Sequence, residues 1–400
     1  MNHKFTKLTT LVAVGAMTLS GVVMTVGSSA GAATKKIPTY TIGFQGVLSG
    51  GAASLGIPEK DGVTTAVALW NANKNRKFNI KLVSGDDQCD PTVAPSVATQ
   101  LNSNSKILAI VGPSCSGATL ASLPIYGPSG ITVLSPSATN PPLTTNADDP
   151  DHIYFRDVAN DSIQGPADGN YLAKTLKKTT IEVVNDASTY GAGLASQVAA
   201  QATADGATVT TATLPSTTAC GNGGTGTNDQ ITIPTGVTAV FYGGYYCDFA
   251  QMTDVVRTAG YTGALMSGDG SDEPAYITDL SNVTDGSGVY LTCACSTVGS
   301  TSPAAKAFVN EYRKLFKTAP GAYAPESFDA ANMEFTAMTK IAKVTRKGIT
   351  AELKKLTYKG ITKTIKFSAT GDVTSKAIYV SQVVVKNGKG TINQIASTTP

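Results

Sequence analysis

A polar segment follows the apolar run 107–111, ILAIV, which is typical of a buried strand. Ser114, Cys115 and Ser116 come next, before helix-like sequence begins. These residue types could provide a nucleophile, half of a disulfide bond, or an anion-binding site at a helix N-terminus. Ser116 is predicted at or near the helix N-cap, where its hydroxyl and the following backbone N–H groups would point toward one anion. The alternative is that Ser116 only caps the helix.

The rest of the sequence argues against a serine hydrolase. Ser114 does not lie in a Gly-x-Ser-x-Gly nucleophile turn. The sequence has two histidines, His3 and His152, and the second lies in an aspartate-rich loop with no evident tie to a nucleophile. No pair of carboxylates for acid–base catalysis is evident at the ends of predicted strands. We therefore expect the protein not to be an enzyme.

Other polar loops also follow predicted strands. Residues 135–142, SPSATNPP, contain three prolines, which would stiffen the loop and lower the entropy cost of binding through its hydroxyls. In the second half of the chain, Tyr190 and Tyr245 lie beside glycines, and Asp269 lies between two glycines. Asp269 could pair with a cation or could simply stabilise a turn.

These residues are separated by alternating strand-like and helix-like segments. Such alternation over 400 residues predicts an α/β protein with doubly wound parallel sheets and more than one domain. The predicted strands are 40–44, 80–83, 107–111, 132–134, 181–184, 208–213, 239–242 and 264–266, with further strands in 363–389 around a turn at 371–372. The predicted helices are 62–73, 92–102, 118–123, 193–205, 249–259, 304–316 and 328–343.

The N-terminus, residues 1–33, has the pattern of a cleaved export signal. It combines Lys4 and Lys7 with a mostly apolar stretch and an Ala-Gly-Ala site at 30–32. The alternative is an uncleaved membrane anchor. No cysteine precedes Cys89, so no lipid-attachment cysteine is expected, and the mature protein is predicted to be periplasmic or extracellular. Without the two leader lysines the chain is nearly neutral, which gives no reason to expect nucleic acid as a partner.

Six cysteines in an exported chain suggest disulfide bonds. Cys293 and Cys295 form the closest pair, but no second cluster at zinc-site spacing accompanies them. We therefore predict neither a metal nor a cofactor.

Five segments occur in the order and spacing of one known family: DDQCDP at 86–91, SPSATNP at 135–141, DSIQGP at 161–166, YGAGLA at 190–195 and YGGYY at 242–246. On these segments the chain resembles the periplasmic (type I) substrate-binding proteins of ABC transporters, of the branched-chain amino acid (Leu/Ile/Val)-binding kind. The likeness extends from about residue 40 to 390.

The resemblance implies two α/β lobes joined by a three-strand hinge. The first lobe would comprise 38–160 plus 294–372, and the second 161–293 plus 373–400. Such a protein captures a small, branched-chain-like amino acid between its closing lobes and delivers it to the permease subunits of an ABC importer. We expect it to be a monomer.

The resemblance also implies a set of ligand-binding residues. Ser116 would bind the ligand carboxylate with help from Thr139. The Ser137 carbonyl, Thr139 and Asp269 would bind the ammonium group, and the aromatic residues would close over the ligand and line the pocket. The full implied set is Leu55, Ser116, Ser137, Ala138, Thr139, Tyr190, Tyr245, Asp269 and Tyr323.

Two residues depart from the pattern of this family. Leu55 stands where the branched-chain binders have an aromatic residue, and Asp269 stands where they have a glutamate. Both change the pocket volume. The alternative interpretations are therefore a receptor for a short amide or urea-type solute and a ligand-sensing module of the same fold.

Cys89 and Cys115 match the disulfide bond of the family. The other four cysteines can pair in three ways, of which Cys220 with Cys247 and Cys293 with Cys295 is the pairing that we predict.

Overall fold

The computed structural model describes residues 37–149, 151–214, 231–295 and 302–400. The predicted leader, residues 1–33, and Cys220 lie outside the described residues. In the part that is described, no helix is long and apolar enough to cross a membrane.

The N-terminal part of the chain alternates between strands and helices and builds a parallel sheet. Its elements are β1 (Thr39–Gly46), α1 (Ala53–Ala72), β2 (Asn79–Asp86), α2 (Ala94–Ser103), β3 (Ile107–Val111), α3 (Ser116–Tyr126), β4 (Thr132–Ser135) and β5 (Tyr154–Arg156). Among the described residues the sheet has five strands in the order β2-β1-β3-β4-β5. The central strand β3 is apolar throughout because Val111 packs into one hydrophobic core and Ile110 into another on the opposite face.

The following part of the chain builds a second sheet. Its elements are α4 (Asp161–Asn170), β6 (Thr180–Asn185), α5 (Thr189–Ala204), β7 (Thr208–Thr213), β8 (Ala239–Gly243), α6 (Tyr246–Thr258), β9 (Ala264–Ser267), α7 (Pro274–Asp279), β10 (Tyr290–Cys293), β13 (Ile378–Lys386) and β14 (Lys389–Thr398). Across the described ranges this sheet has seven strands in the order β14-β13-β10-β9-β8-β6-β7. Strands β6 to β10 pair in parallel, whereas β13 is antiparallel to both β10 and β14.

Between β10 and β13 the chain returns to the first sheet. This return contains α8 (Pro303–Phe316), α9 (Ala324–Thr339), α10 (Arg346–Leu353), β11 (Thr357–Lys359) and β12 (Thr364–Lys366). Helix α9 packs along α1, and α10 contacts β3 and β4. Phe308 and Phe335 therefore lie in the same hydrophobic core as Ile42 and Phe44 of β1.

The predicted fold class is confirmed, and β7 has the predicted bounds. Helix α1, by contrast, begins at Ala53 rather than at residue 62. Gly56 and Pro58 disfavour a helix in an isolated sequence, but Pro58 lies inside α1, because packing along α9 stabilises the helix. The earlier start is important because it brings residue 59 into the helix.

The tail has strands on both sides of a turn, as predicted. Gly371 forms the expected turn with φ of 99°, and an added Cβ would come within 2.2 Å of the Tyr154 carbonyl oxygen. Phe367 and Val373 pair across this turn through an antiparallel bridge, whereas β12 pairs with β11 and β13 joins the second sheet. Strands β5, β10 and β14 were not predicted because they are short or half exposed.

Candidate functional site

A small cavity lies among residues that follow strands of both sheets. Ligands of open α/β sheets bind beyond the carboxyl ends of the strands, so this is where a binding site is expected. The cavity is lined by Leu55, Glu59, Ser114, Ser116, Ser137, Tyr190, Tyr245, Asp269, Gly270 and Tyr323.

The structure brings most of the predicted ligand-binding residues to this cavity, but Ala138 and Thr139 do not line it. The Ala138 carbonyl accepts hydrogen bonds from Tyr154 Oη at 3.1 Å and Arg156 Nη1 at 3.2 Å. Thr139 is fully buried, and its carbonyl accepts from the Asp161 N–H at 3.0 Å. These two residues therefore form part of the scaffold beside the cavity.

The loop between β3 and α3 forms part of the first wall. Cys115 is the N-cap, and Ser116 is the first helical residue, with its Oγ accepting from the Asn140 N–H at 3.2 Å. Gly112 has a φ of 105°, and a Cβ there would lie 2.0 Å from the Gln45 carbonyl oxygen. The loop must therefore pass so close to β1 that only glycine fits.

The loop that follows β4 is bonded to the β3–α3 loop. Ser135 Oγ donates to the Pro113 carbonyl at 2.7 Å, and Ser137 Oγ donates to the Ser114 carbonyl at 2.8 Å. Because both bonds are buried, the two loops form one surface with a fixed relative position.

Arg156 holds this surface from behind. Its side chain is 0% exposed and donates from Nη1 to the Asn140 carbonyl at 2.7 Å and from Nε to Asp372 Oδ1 at 2.6 Å. Burial alone would raise the pKa of Asp372, but the charge and hydrogen bonds of Arg156, with a further bond from Thr144, hold that pKa below its ordinary value. The role of Arg156 was not predicted from the sequence, because its partner Asp372 lies far along the chain.

Asp269 is the centre of the second wall. It is 3% exposed and accepts from Tyr190 Oη at 2.8 Å and from Tyr323 Oη at 2.7 Å. The Gly270 N–H donates in turn to Tyr190 Oη at 2.9 Å, and the rings of Tyr190 and Tyr245 lie 5.3 Å apart. Burial raises the pKa of Asp269, and the two tyrosine hydroxyls oppose that rise. An acceptor with fixed donors on both oxygens is oriented for a cationic group.

A second buried carboxyl, Glu59, also lines the cavity, which corrects the expectation that no two carboxylates meet there. Glu59 is 0% exposed, and its Oε2 accepts from Ser114 Oγ at 2.6 Å. Burial raises the pKa of Glu59 to about 7, while the nearby hydroxyls of Ser114 and Ser137 oppose the rise. The residue was missed because α1 was expected to begin after it; the i, i+4 spacing from Leu55 to Glu59 could have revealed it.

The two walls touch each other at the edge of the cavity. Asn140 Nδ2 donates to the Thr189 carbonyl at 2.8 Å, which joins the first wall to the start of α5. The Tyr246 hydroxyl donates to the Gly51 carbonyl, and the Ser54 N–H donates to the same hydroxyl at 3.4 Å. The loops of the two sheets therefore enclose the cavity directly.

Two cysteine pairs lie near the cavity. Cys89 and Cys115 form the disulfide bond that the resemblance implies, with Cα atoms 5.4 Å apart. Cys293 and Cys295 are also joined by a disulfide bond, and the nearby Asp272 does not make them a thiolate metal site, because the two sulfur atoms are bonded to each other. The predicted partner of Cys247, Cys220, lies outside the described residues.

Comparison with known proteins agrees with this architecture. A family model described as periplasmic binding protein matches residues 39–389. An amino acid binding protein of Pseudomonas aeruginosa is 30% identical over 311 residues, which are 76% of this chain and 78% of that protein. The leucine-specific-binding protein of Salmonella typhimurium is 28% identical over 353 residues, covering 83% of this chain and 87% of that protein.

A solved structure is similar over nearly the whole chain. The branched-chain amino acid transporter substrate-binding protein LivJ of Streptococcus pneumoniae, in complex with isoleucine, superposes with a TM-score of 0.76 and 25% identity. The match covers 90% of this chain and 100% of that one. With its two doubly wound sheets and a cavity between their strand ends, this chain belongs to the periplasmic binding protein family.

Proposed function

We propose that this protein captures a small α-amino acid in the cavity and delivers it to an ABC importer. The observation that carries the proposal is the pairing of opposite chemistries on the two walls. Ser116 and the N-terminus of α3 offer donors on the first wall, whereas Asp269 offers a buried carboxylate on the second. A zwitterion removed from water needs partners for both of its charges, and the two walls offer them from opposite sides.

We assign the ligand carboxylate to Ser116 and the backbone N–H groups that follow it. The ligand ammonium group is assigned to Asp269 and the Ser137 carbonyl. Thr139 supports these groups from the scaffold beside the cavity, where its hydroxyl is buried. Tyr190, Tyr245 and Tyr323 cover the ligand. The printed names of the relatives support an amino acid as the ligand, because they include an amino acid binding protein and a leucine-specific-binding protein.

The lobes that close on the ligand are residues 38–160 plus 294–372 and residues 161–293 plus 373–400. Each contains one of the two large sheets, and the chain passes between them near Arg156, Cys295 and Asp372. Ligand contacts on both walls favour the closed arrangement, which a permease can then distinguish from the empty one. We further propose that the protein is exported and acts as a monomer.

A thermal-shift screen tests this function. The purified mature protein is heated with each amino acid, with simple amides and with urea, and hits are measured by calorimetry. A ligand that binds only the folded protein raises the melting temperature by mass action. We expect an α-amino acid to give the largest shift. A shift with urea or amides alone would mean that the ligand is an amide-type solute and not an amino acid. The absence of a shift with every compound would contradict the proposal.

A further inference from the structure

Glu59 has a chemical capacity that the binding of the ammonium and carboxylate groups does not use. Its side chain is fully buried and lines the cavity. Oε2 is bonded to Ser114 Oγ, whereas Oε1 has no hydrogen-bond partner among the described residues. Leaving a buried polar atom without a partner is unfavourable, so a partner supplied by the ligand would be favourable.

The neighbours of Glu59 restrict what this partner can be. Ser114 Oγ already donates its proton to Glu59 Oε2, so it can offer a ligand only its lone pairs. Ser137 Oγ is directed to the Ser114 carbonyl, and Leu55 adds only apolar surface. This end of the cavity therefore offers oxygen acceptors beside an apolar side chain. A purely aliphatic ligand side chain would leave Oε1 buried and unpaired.

We propose that Glu59 is a specificity-determining residue that selects amino acids whose side chains end in a hydroxyl or a carboxamide. This inference rests on the proposed function and deepens it, because it names the class of ligand side chain. A hydroxyl or carboxamide can both donate and accept, so it can bond to Oε1 whether Glu59 is ionised or protonated. An aliphatic side chain can do neither.

Isosteric ligand pairs test the proposal on the unmodified protein. Threonine and valine have nearly the same shape, as do asparagine and leucine, so each pair isolates the polar group. By calorimetry we expect threonine to bind about 10- to 100-fold more tightly than valine, and asparagine more tightly than leucine, since a site built for a hydrogen bond rejects the analogue that lacks it.

Two variants assign the preference to Glu59. Glu59→Met keeps the length of the side chain but removes both oxygens, and we expect it to bring the threonine-to-valine affinity ratio to one or below. Glu59→Gln keeps an acceptor and a donor, so it should retain a preference for threonine. If Glu59→Met does not fold, Glu59→Leu replaces it, because it also lacks both oxygens, and the same ratio is expected.

The outcomes separate this inference from the proposed function. Equal affinity for threonine and valine, or tighter binding of valine and leucine, overturns the role of Glu59 and leaves an amino acid receptor. An unchanged ratio in folded Glu59→Met also overturns it. If no amino acid binds the unmodified protein, the proposed function fails together with this inference.

Discussion

The two walls of the cavity each contain one buried carboxyl, and the two carboxyls differ in their hydrogen bonds. Asp269, on the second wall, has both oxygens held by tyrosine hydroxyls, that of Tyr190 in α5 and that of Tyr323 at the start of α9. On the first wall only one oxygen of Glu59 is held, by Ser114, within the part of the chain that the structure describes. A fully bonded carboxylate is stabilised as an anion, whereas a partly bonded one is driven toward its protonated form by burial. We therefore assign binding of the ligand ammonium group to Asp269 and binding of a polar ligand side chain to Glu59.

Asp269→Asn tests the role of the second wall, and it is the substitution with the largest expected effect. The substitution keeps the shape of the side chain and one acceptor but removes the negative charge that we assign to the ligand ammonium group. We expect the dissociation constant of the best amino acid to rise at least about 30-fold, because losing one partner of a buried charge pair costs about 2–5 kcal/mol.

Calorimetry measures this effect, and circular dichroism verifies that the variant is folded. Asp279→Asn is a matched control, because Asp279 is an exposed aspartate at the end of α7 and does not line the cavity. Its affinity should equal that of the unmodified protein. Undiminished affinity in Asp269→Asn would remove Asp269 from the site.

The support of the first wall is tested by Arg156→Met. This substitution leaves Asp372 without its cation and removes the hydrogen bonds from Arg156 Nη1 to the Ala138 and Asn140 carbonyls. We expect the free energy of unfolding to fall by about 2–4 kcal/mol, less than for a fully buried pair because Asp372 is 24% exposed.

Urea denaturation measures the loss, with the exposed Arg313→Met on α8 as control. Ligand affinity should fall as well, because the loop that carries Ser137 loses its support. A variant as stable as the control would show that the loop is held by other bonds.

The smallest expected effect concerns pH and Glu59. The pKa of Glu59 is about 7 in the folded protein and near 4.5 when it is unperturbed. Between these values the unfolded chain releases a proton that the folded protein keeps, so Glu59 makes the folded state less stable as pH rises through this window.

Glu59→Gln removes this titration. We therefore expect Glu59→Gln, relative to the unmodified protein, to be more stable at pH 8 than at pH 5 by on the order of 2 kcal/mol. Urea denaturation of both proteins at the two pH values, without ligand, gives this difference. If the difference is the same at both pH values, the carboxyl has an ordinary pKa, and the contrast between the two walls disappears.

Functional residues that follow strands could be predicted from the sequence better than those that lie within a helix or a strand. Ser116 and Asp269 could be singled out because they follow apolar runs, and the ends of parallel strands meet at one edge of a sheet. Glu59 lies inside α1, where Gly56 and Pro58 obscured the helical pattern. Arg156 belongs to the short buried strand β5, and nothing in its local sequence indicates that its partner is Asp372.

The amino-acid sequence alone determined the alternation of strands and helices, the family that its five segments indicate, and the strand ends at which a ligand would bind. These follow from local patterns, since hydrophobic periodicity and turn residues act over a few positions. The bond between Glu59 and Ser114, the second Glu59 oxygen that has no partner among the described residues, and the burial of Arg156 against Asp372 follow only from the tertiary structure. Burial and hydrogen-bond partners depend on which distant segments pack together, and no local pattern specifies that packing.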